Sequence, residues 1–436
     1  MTQTARIVIK NSFWLILGEI LSKISIFFLI MMVARKVSIS DFGKYNLAMS
    51  VVMIFSVMND LGLNIFLFRD LSRNKNQVTR YVSNVFLMRI SLSILMTIVI
   101  ILFSHFCNYD PLTIKMIYFF IGWIIFVNVT YTFRTPFKAF EVMQWDAVIS
   151  FSDNFLRLIF SGLFIYLGMG VLGVGLAYFL AAVIAFFLGI VIYYRLIGRL
   201  DFRPDFTLWK TALLEVRYLA LVAILVPMFG KFDSLILSYF KGDESVGLYN
   251  AALKLVWMLV FIPGFVTQAA FPKLSQLAFS DKSKYNRMIC YLLKVNLVFT
   301  LLISALIFFG ATQIITIIYG AKYGSSIFLL KILIWCFPLH GLNGVFIYGF
   351  SAMNKQKITS IFIGLAIMIN IAFAAFLASL FGHIGVSFAT MGSLLFLLCL
   401  FVIYGFRHKI LSTAVLKFCA EDFNTFKNLL TFKQIK

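Results

Sequence analysis

Acidic residues are scarce in this chain. Its 436 residues include 17 aspartates and glutamates against 38 lysines and arginines, which gives a formal charge of +21. Only 13% of the residues are charged, however, and 62% are hydrophobic. A water-soluble domain of that composition would precipitate, so the solvent of this chain is a bilayer. The excess of cations therefore indicates anionic membrane lipids as neighbours, and we expect no nucleic-acid partner.

Cysteine and histidine are also few. The five cysteines lie far apart, and neither they nor the four histidines show a metal-binding or redox spacing. We therefore predict no metal site and no cofactor. The sequence has no P-loop, which excludes ATP hydrolysis by that route. A GxGxxG string begins at Gly168, but no strand precedes it, and close helix packing by small residues explains it.

Long apolar runs are abundant. A helix needs about 20 apolar residues to cross a bilayer, and runs of this length rich in Leu, Ile and Phe indicate helices rather than barrel strands. The sequence predicts an all-α integral membrane protein with twelve transmembrane helices. They span approximately residues 11–34, 45–68, 82–104, 115–133, 149–168, 171–194, 214–240, 247–271, 288–309, 326–350, 358–381 and 384–406.

The basic residues are unevenly distributed among the gaps between these runs. About 26 of them fall in every second gap, and short loops rich in Lys and Arg stay in the cytoplasm. The N-terminus and the segment after Arg407 both belong to the basic set. We therefore expect both termini in the cytoplasm. The first run is too long for a cleavable signal peptide, and no small-residue cleavage pattern follows it.

The two halves of the chain repeat. The stretch 42–48 recurs at 246–252, an offset of 204 residues, and 170–177 recurs at 382–389, an offset of 212. Six helices form each repeat, so the two halves cross the membrane in the same sense, related by a pseudo-twofold axis along its normal. We predict an N-terminal lobe over 1–200, a cytoplasmic linker over 201–213, a C-terminal lobe over 214–406 and a cytoplasmic amphipathic tail over 407–436.

Two signatures resemble those of a known family. Ser40–Tyr45, followed by Asp60–Leu63 and Arg69, resembles the polysaccharide-export family of lipid-linked oligosaccharide flippases, which includes the O-antigen flippases. Val246–Ala252, followed by Pro272–Ser275, resembles the same family. The resemblance implies V-shaped lobes around a central cavity that opens alternately to each side. It also implies undecaprenyl-pyrophosphate-linked oligosaccharide as cargo, the bacterial inner membrane as location, and a polysaccharide polymerase and a chain-length regulator as partners.

Several cations lie inside the apolar runs. Each ionised side chain at bilayer depth costs a few kcal/mol or more, so such residues face a protein interior or a water-filled cavity. A ring of cations would suit a pyrophosphate, because a desolvated anion needs opposite charge and hydrogen-bond donors. The candidates for the cavity are Lys231, Lys23, Arg89, Lys254 and Lys331, together with Lys294 near the membrane interface.

Ordinary explanations compete with this one. Arg157 has Asp153 four residues earlier on the same helix face, which predicts a structural pair, and Glu19 stands in the same relation to Lys23. Arg89 could reach the inner interface, and Lys254 and Lys331 the outer one, by extending their side chains. Lys231 is the hardest to explain without a cavity, because it lies well inside its predicted helix and Asp233, two residues on, points elsewhere.

Acids and helix breakers within the spans suggest further roles. A buried carboxylate can exchange a proton during transport, and the candidates for ion coupling are Glu19, Asp60, Asp153 and Asp233, with simple charge balance as the alternative. Proline and glycine bend helices. The candidates for hinges are Pro227, Gly230, Pro263 and Gly264, with static packing kinks as the alternative.

Two other functions fit the composition less well. A multidrug or cation antiporter of the same superfamily would favour an acidic cavity, yet the intramembrane cations outnumber the acids. A membrane-bound polysaccharide enzyme would need a sizeable outer loop, yet nearly all the predicted outer gaps are under about 20 residues and contain no acid pair. The sequence therefore favours a transporter.

Overall fold

The computed structural model describes residues 3–215, 225–226, 228–408 and 410, and the helices of this part confirm the predicted all-α membrane class. Their bounds are α1 Gln3–Lys36, α2 Ile39–Asp60, α3 Leu63–Arg73, α4 Val78–Phe106, α5 Pro111–Ala139, α6 Met143–Tyr166, α7 Gly170–Leu196, α8 Phe206–Glu215, α9 Phe232–Ser280, α10 Lys282–Tyr319, α11 Ser325–Leu333, α12 Cys336–Ala352 and α13 Gln356–Arg407. Within the described residues, nine helical segments are long and apolar enough to cross a membrane.

Two of these segments extend over more than one predicted span. α9 has 49 residues and includes the end of the predicted span 214–240 and all of 247–271, and α13 has 52 residues and includes 358–381 and 384–406. Each is more than twice as long as the roughly 20 residues that one crossing needs. Gly242 interrupts the first at φ 76° and Gly382 the second at φ 58°. Both glycines fall in predicted gaps, and glycine takes a positive φ without the steric cost of a Cβ.

One predicted helix is discontinuous. The helix expected over 45–68 breaks at Leu61 and Gly62, which have φ angles of 37° and 83°, so the prediction of one continuous helix is wrong there. The helix expected over 326–350 has a turn at Ile334 and Trp335, between α11 and α12, but both residues keep right-handed helical dihedral angles and Ser325–Ala352 forms one candidate span. Much of the predicted helix over 214–240, including Pro227, and nearly all of the tail lie outside the described residues.

The internal repeat extends to conformation and hydrogen bonding. Gly170 and Gly382, which are equivalent in the repeat, have φ angles of 56° and 58°. The side-chain amides of the equivalent Asn46 and Asn250 each donate to the carbonyl four residues earlier, at 2.7 and 3.0 Å. These positions agree with the predicted repeat, and the 6+6 arrangement stays a prediction.

The chain divides into two compact units, Met1–Asn250 and Ala251–Lys436. Within the first unit, the start of α2 crosses α9 at two glycines. A Cβ on Gly43 would overlap the carbonyl of Asp243, and a Cβ on Gly247 would overlap the carbonyl of Ile39. Each pair of equivalent residues is 204 apart, so the contact has the self-complementary form of a twofold interface. The lobe boundaries deduced from the repeat remain predictions.

The predicted linker packs against the first unit. The backbone N–H of Asp201 donates to Ser83 at 2.7 Å, and the indole N–H of Trp209 donates to Asn84 at 3.0 Å. Leu208 is buried in a hydrophobic cluster formed with α3, α4, α5 and α7. The linker is therefore held by both hydrogen bonds and apolar burial.

Candidate functional site

Arg89 is completely buried in α4. Its Nη2 donates to Asp60 Oδ1 and to Asn64 Oδ1, each at 2.8 Å, and its Nη1 donates to the Asn128 carbonyl at 2.6 Å and to Thr132 Oγ1 at 3.1 Å. The side chain therefore points into the protein, and the predicted alternative in which it extends to the interface is wrong. A buried guanidinium with this many acceptors is a structural clamp.

The clamp lies at the break between α2 and α3. Asp60 is the last residue of α2, and its Oδ1 also accepts from the Asn64 backbone N–H in the first turn of α3, at 3.3 Å. A cation near the last carbonyls of a helix opposes their partial negative charge. Asp60 keeps a side-chain exposure of 29%, so this candidate coupling acid is held by Arg89 but is still accessible.

Asp153 and Arg157 form the structural pair that their spacing predicts. Two atoms of the guanidinium contact the carboxylate, and the guanidinium carbon lies 5.1 Å from the ring centroids of both Trp123 and Tyr178. The Tyr178 hydroxyl is 2.8 Å from that of Tyr45. Ion pairing and stacking on aromatic faces both compensate the buried charge, so Asp153 is committed to its partner.

A neighbouring ion pair was not predicted from the sequence. Arg134 Nε donates to Asp146 Oδ1 at 2.6 Å, and Lys138 Nζ lies 3.4 Å from the other carboxylate oxygen. Arg134 and Asp153 both line a cavity of about 10 Å³, about the size needed for one water molecule. All of these residues except Asp153 lie in the predicted gap 134–148, where the sequence indicated a solvated loop.

Lys23 and Glu19 form the predicted ion pair on α1, with Nζ and Oε1 3.4 Å apart. Their side chains are 39% and 44% exposed. The opposite flank of α1 packs on α6, where a Cβ on Gly18 would meet Ala147 at 2.7 Å. Because a half-exposed ion pair in the middle of a membrane helix is disfavoured against lipid, this pair suits a water-filled space.

Lys231 lies in a turn rather than inside a helix. Gly230 has a φ of 77° and α9 begins at Phe232, so the chain bends at the predicted hinge glycine. Asp233 is buried and accepts a hydrogen bond from the Tyr249 hydroxyl at 2.6 Å. Among the described residues, no ion pair or hydrogen bond involves the ammonium of half-buried Lys231. This cation therefore differs from the clamped arginines.

The second unit contains the other candidate cations. Lys294 is only 8% exposed, so it is buried against neighbouring helices, and its place near the membrane interface stays a prediction. It lies 205 residues after Arg89, so each repeat buries a cation in its third predicted span. Lys331 Nζ lies 5.7 Å from the Phe308 ring, and Lys254 is half-buried in α9.

The predicted hinge at Pro263 and Gly264 lies within α9. Within this long helix the residue with non-helical dihedral angles is Gly242, which lies more than 20 residues before Pro263. Thr267 Oγ1 donates to the Pro263 carbonyl at 3.1 Å. The hinge role of these two residues stays a prediction.

More than half of the chain matches a known family. The profile described as "Polysaccharide biosynthesis protein" matches residues 8–278. The chain belongs to this family. A Shigella flexneri protein named "Putative O-antigen transporter" is 26% identical over 163 residues, which cover 37% of this chain and 38% of that protein. The matched region therefore spans well under half of the relative. The resemblance that the two signatures indicate is confirmed at the family level.

Solved structures share the fold. One described as "Lipid II flippase MurJ, inward closed conformation" superposes with a TM-score of 0.74 at 17% identity, covering 98% of this chain and 94% of that one. A multidrug resistance MATE family transporter of the MOP superfamily, in its inward-facing conformation, gives 0.71 at 15% identity, covering 92% and 96%. At these identities the likeness establishes the architecture alone.

Proposed function

We propose that this protein is a flippase that moves polyprenyl-pyrophosphate-linked oligosaccharide from the cytoplasmic to the periplasmic leaflet of the bacterial inner membrane by alternating access. Family membership supports transport within polysaccharide biosynthesis, and the family consists of transporters rather than enzymes. The names of the Shigella relative and of the MurJ neighbour support a lipid-linked cargo. A polysaccharide polymerase and a chain-length regulator are proposed as partners.

The observation that carries the proposal is the contrast among the intramembrane cations. Arg89 is fully buried among four acceptors and Arg157 is held by Asp153, whereas the Lys23 side chain is 39% exposed beside Glu19 and Lys231 is half-buried in a turn. These two lysines lie in the first predicted helix of each repeat. A lysine is a mobile point charge, which suits an anionic headgroup that must be bound and then released.

The proposal is tested by reconstituting the purified protein in lipid vesicles. Fluorescent undecaprenyl-pyrophosphate-linked oligosaccharide is placed in one leaflet, and its appearance in the other is followed with a membrane-impermeant quencher. We expect translocation that protein-free vesicles lack. Translocation of a cationic dye with none of the lipid would instead indicate a multidrug antiporter and overturn the proposal.

A further inference from the structure

Two ring contacts join α9 and α12 inside the second unit. The rings of Trp257 and His340 have centroids 4.9 Å apart at an interplanar angle of 50°. Those of Phe271 and Tyr348 are 5.8 Å apart at 65°. All four residues are half-buried. The same two helices therefore meet through aromatic rings at two levels, and each ring belongs to a residue that is only partly buried.

A glycine lies between the two rings on each helix. Trp257, Gly264 and Phe271 are seven residues apart, and His340, Gly344 and Tyr348 are four apart, so each trio follows one face of its helix. A Cβ added at Gly264 or at Gly344 would meet no atom within 4 Å. The space between the two ring contacts is therefore open. We call these six residues the aromatic cleft.

The cleft has room for more than one small ring. At the α-helical rise, Trp257 and Phe271 are separated by about 21 Å along α9, and His340 and Tyr348 by about 12 Å along α12. The helices touch beside the cleft, where a Cβ on Gly341 would lie 3.5 Å from Pro263 Cβ. The cleft is thus a groove closed along one side, long enough for a short oligosaccharide.

The position of His340 indicates that the groove faces water. The membrane segment Ser325–Ala352 has 28 residues, and His340 lies near its middle. A half-buried imidazole at that depth is disfavoured against lipid tails and suits a protein interior or a hydrated space. The groove is consequently accessible to a polar solute.

The chemistry of the four rings favours sugar over the other parts of a lipid-linked cargo. Trp257, His340 and Tyr348 each combine a flat apolar face with a polar edge that can hydrogen-bond. Sugar rings present C–H faces that stack on aromatic rings and hydroxyls that hydrogen-bond. An isoprenoid tail would not use the polar edges, and a pyrophosphate would require cations.

We propose that the aromatic cleft binds the saccharide portion of the transported lipid and contributes to its selection. The inference rests on the proposed flippase function and adds to it the residues that recognise sugar. Cations hold the headgroup, whereas Trp257 and His340 at one end and Phe271 and Tyr348 at the other stack against sugar rings. Gly264 and Gly344 keep the intervening space open.

The test fills the cleft without disturbing the fold. Gly344→Leu places a side chain in the open space, and Gly392→Leu, at an exposed glycine of α13 whose Cβ also meets nothing within 4 Å, is the matched control. Affinities of the full-length protein in nanodiscs are measured for undecaprenyl pyrophosphate and for undecaprenyl-pyrophosphate-linked oligosaccharide extracted from a strain deleted for this gene.

We expect Gly344→Leu to weaken binding of the glycosylated lipid by about tenfold, while binding of the bare lipid and both affinities of Gly392→Leu stay near wild type. Trp257→Ala should act like Gly344→Leu, with Trp335→Ala, which contacts Phe308 instead, as its control. Equal loss for both lipids would mean that the cleft holds the tail or the pyrophosphate, and no loss for either would mean that it binds nothing; both results overturn the inference.

The wild-type measurement separates this inference from the proposed function. If wild-type protein flips the glycosylated lipid but Gly344→Leu retains full affinity, the cleft assignment fails and the flippase proposal stands. If wild-type protein neither binds nor flips the glycosylated lipid, the flippase proposal fails first, and the inference that rests on it fails with it.

Discussion

At the scale of single residues, two classes of intramembrane cation carry different predictions. Arg89 donates to four acceptors and has no exposed surface, whereas Lys231 has no hydrogen-bond or ion-pair partner within the described residues. Removal of a clamped charge leaves buried acceptors unpaired, which lowers stability. Replacement of half-buried Lys231 breaks no hydrogen bond or ion pair within the described residues, so we expect the fold to stay intact while a ligand for the cargo is lost.

Lys231→Ala should abolish surface polysaccharide in a deletion strain without lowering the amount of protein in the membrane. Lys231→Arg should retain some export because the positive charge is kept. Immunoblots of surface polysaccharide and of the protein measure both, and Lys241→Ala, at an exposed lysine of α9, is the control. Normal export by the alanine variant would contradict the role of Lys231.

Arg89→Lys should destabilise the fold although it preserves charge. A lysine ammonium cannot reproduce the planar fork that reaches Asp60, Asn64, Asn128 and Thr132 together, and breaking a buried pair costs about 3 kcal/mol. Thermal unfolding of the detergent-purified protein measures the effect. An unchanged melting temperature would show that the clamp contributes little.

At the scale of elements, glycines and long-range contacts set the helix boundaries. The breaks at Gly242 and Gly382 could be located from the sequence, because loop residues or charges interrupt the apolar runs there. The break at Leu61–Gly62 lies inside an apolar run, and Arg89 reaches it from another helix, which periodicity does not reveal. The burial of Lys294 escaped prediction for a related reason, since hydropathy does not show which helix face meets a neighbour.

Gly43→Ala should weaken the crossing of α2 and α9. The added methyl would overlap the Asp243 carbonyl, and the backbone shift that relieves this overlap lowers the free energy of unfolding by about 1–3 kcal/mol. Gly392→Ala adds a methyl in open space and serves as the control. We expect a lower melting temperature for the first variant alone, and equal melting temperatures would argue against a tight crossing.

The docked linker should respond to acid. Hydrogen bonds from the Thr207 hydroxyl and Arg80 hold the pKa of Asp205 far below its ordinary value. Because this carboxyl group has a lower pKa in the folded than in the unfolded protein, its ionised form stabilises docking at every pH above the unfolded pKa of about 3.9. That stabilisation is lost as the pH falls through the folded pKa.

Asp205→Asn should therefore expose the linker to trypsin at neutral pH. In the wild type, acidification should release the linker, which is measured as a change in Trp209 fluorescence emission. Asp201→Asn, whose carboxylate is half-exposed, should leave the cleavage rate unchanged. Equal trypsin sensitivity of Asp205→Asn and wild type would contradict this role of Asp205.

At the scale of the whole molecule, composition predicted the membrane class, which the helices confirm, and two sequence signatures predicted the family, which the profile match confirms. Composition does not specify which groups bind the cargo or couple its transport. Asp153 and Asp233 are engaged by Arg157 and Tyr249, whereas Glu19 and Asp60 keep exposed carboxylates. We propose proton exchange at one of these two exposed acids.

Collapse of the proton gradient across reconstituted vesicles should slow lipid translocation. Glu19→Gln and Asp60→Asn, made separately, should identify the acid, because the variant that removes the coupling group loses its response to the gradient. The flipping rate with and without a protonophore is the measurement, and collapse of a sodium gradient alone is the control. A wild-type rate that ignores the proton gradient would exclude proton coupling.

The glycine crossing near the start of α2 has a consequence for the history of the chain. Gly43 meets the backbone beside Gly247, and Gly247 meets the backbone beside Gly43, so a sequence here touches its own duplicate. On the predicted six-helix repeat, the same surface would have joined two identical chains as a homodimer before their genes fused. A fused chain of that kind would be free to diverge away from this crossing and constrained at it.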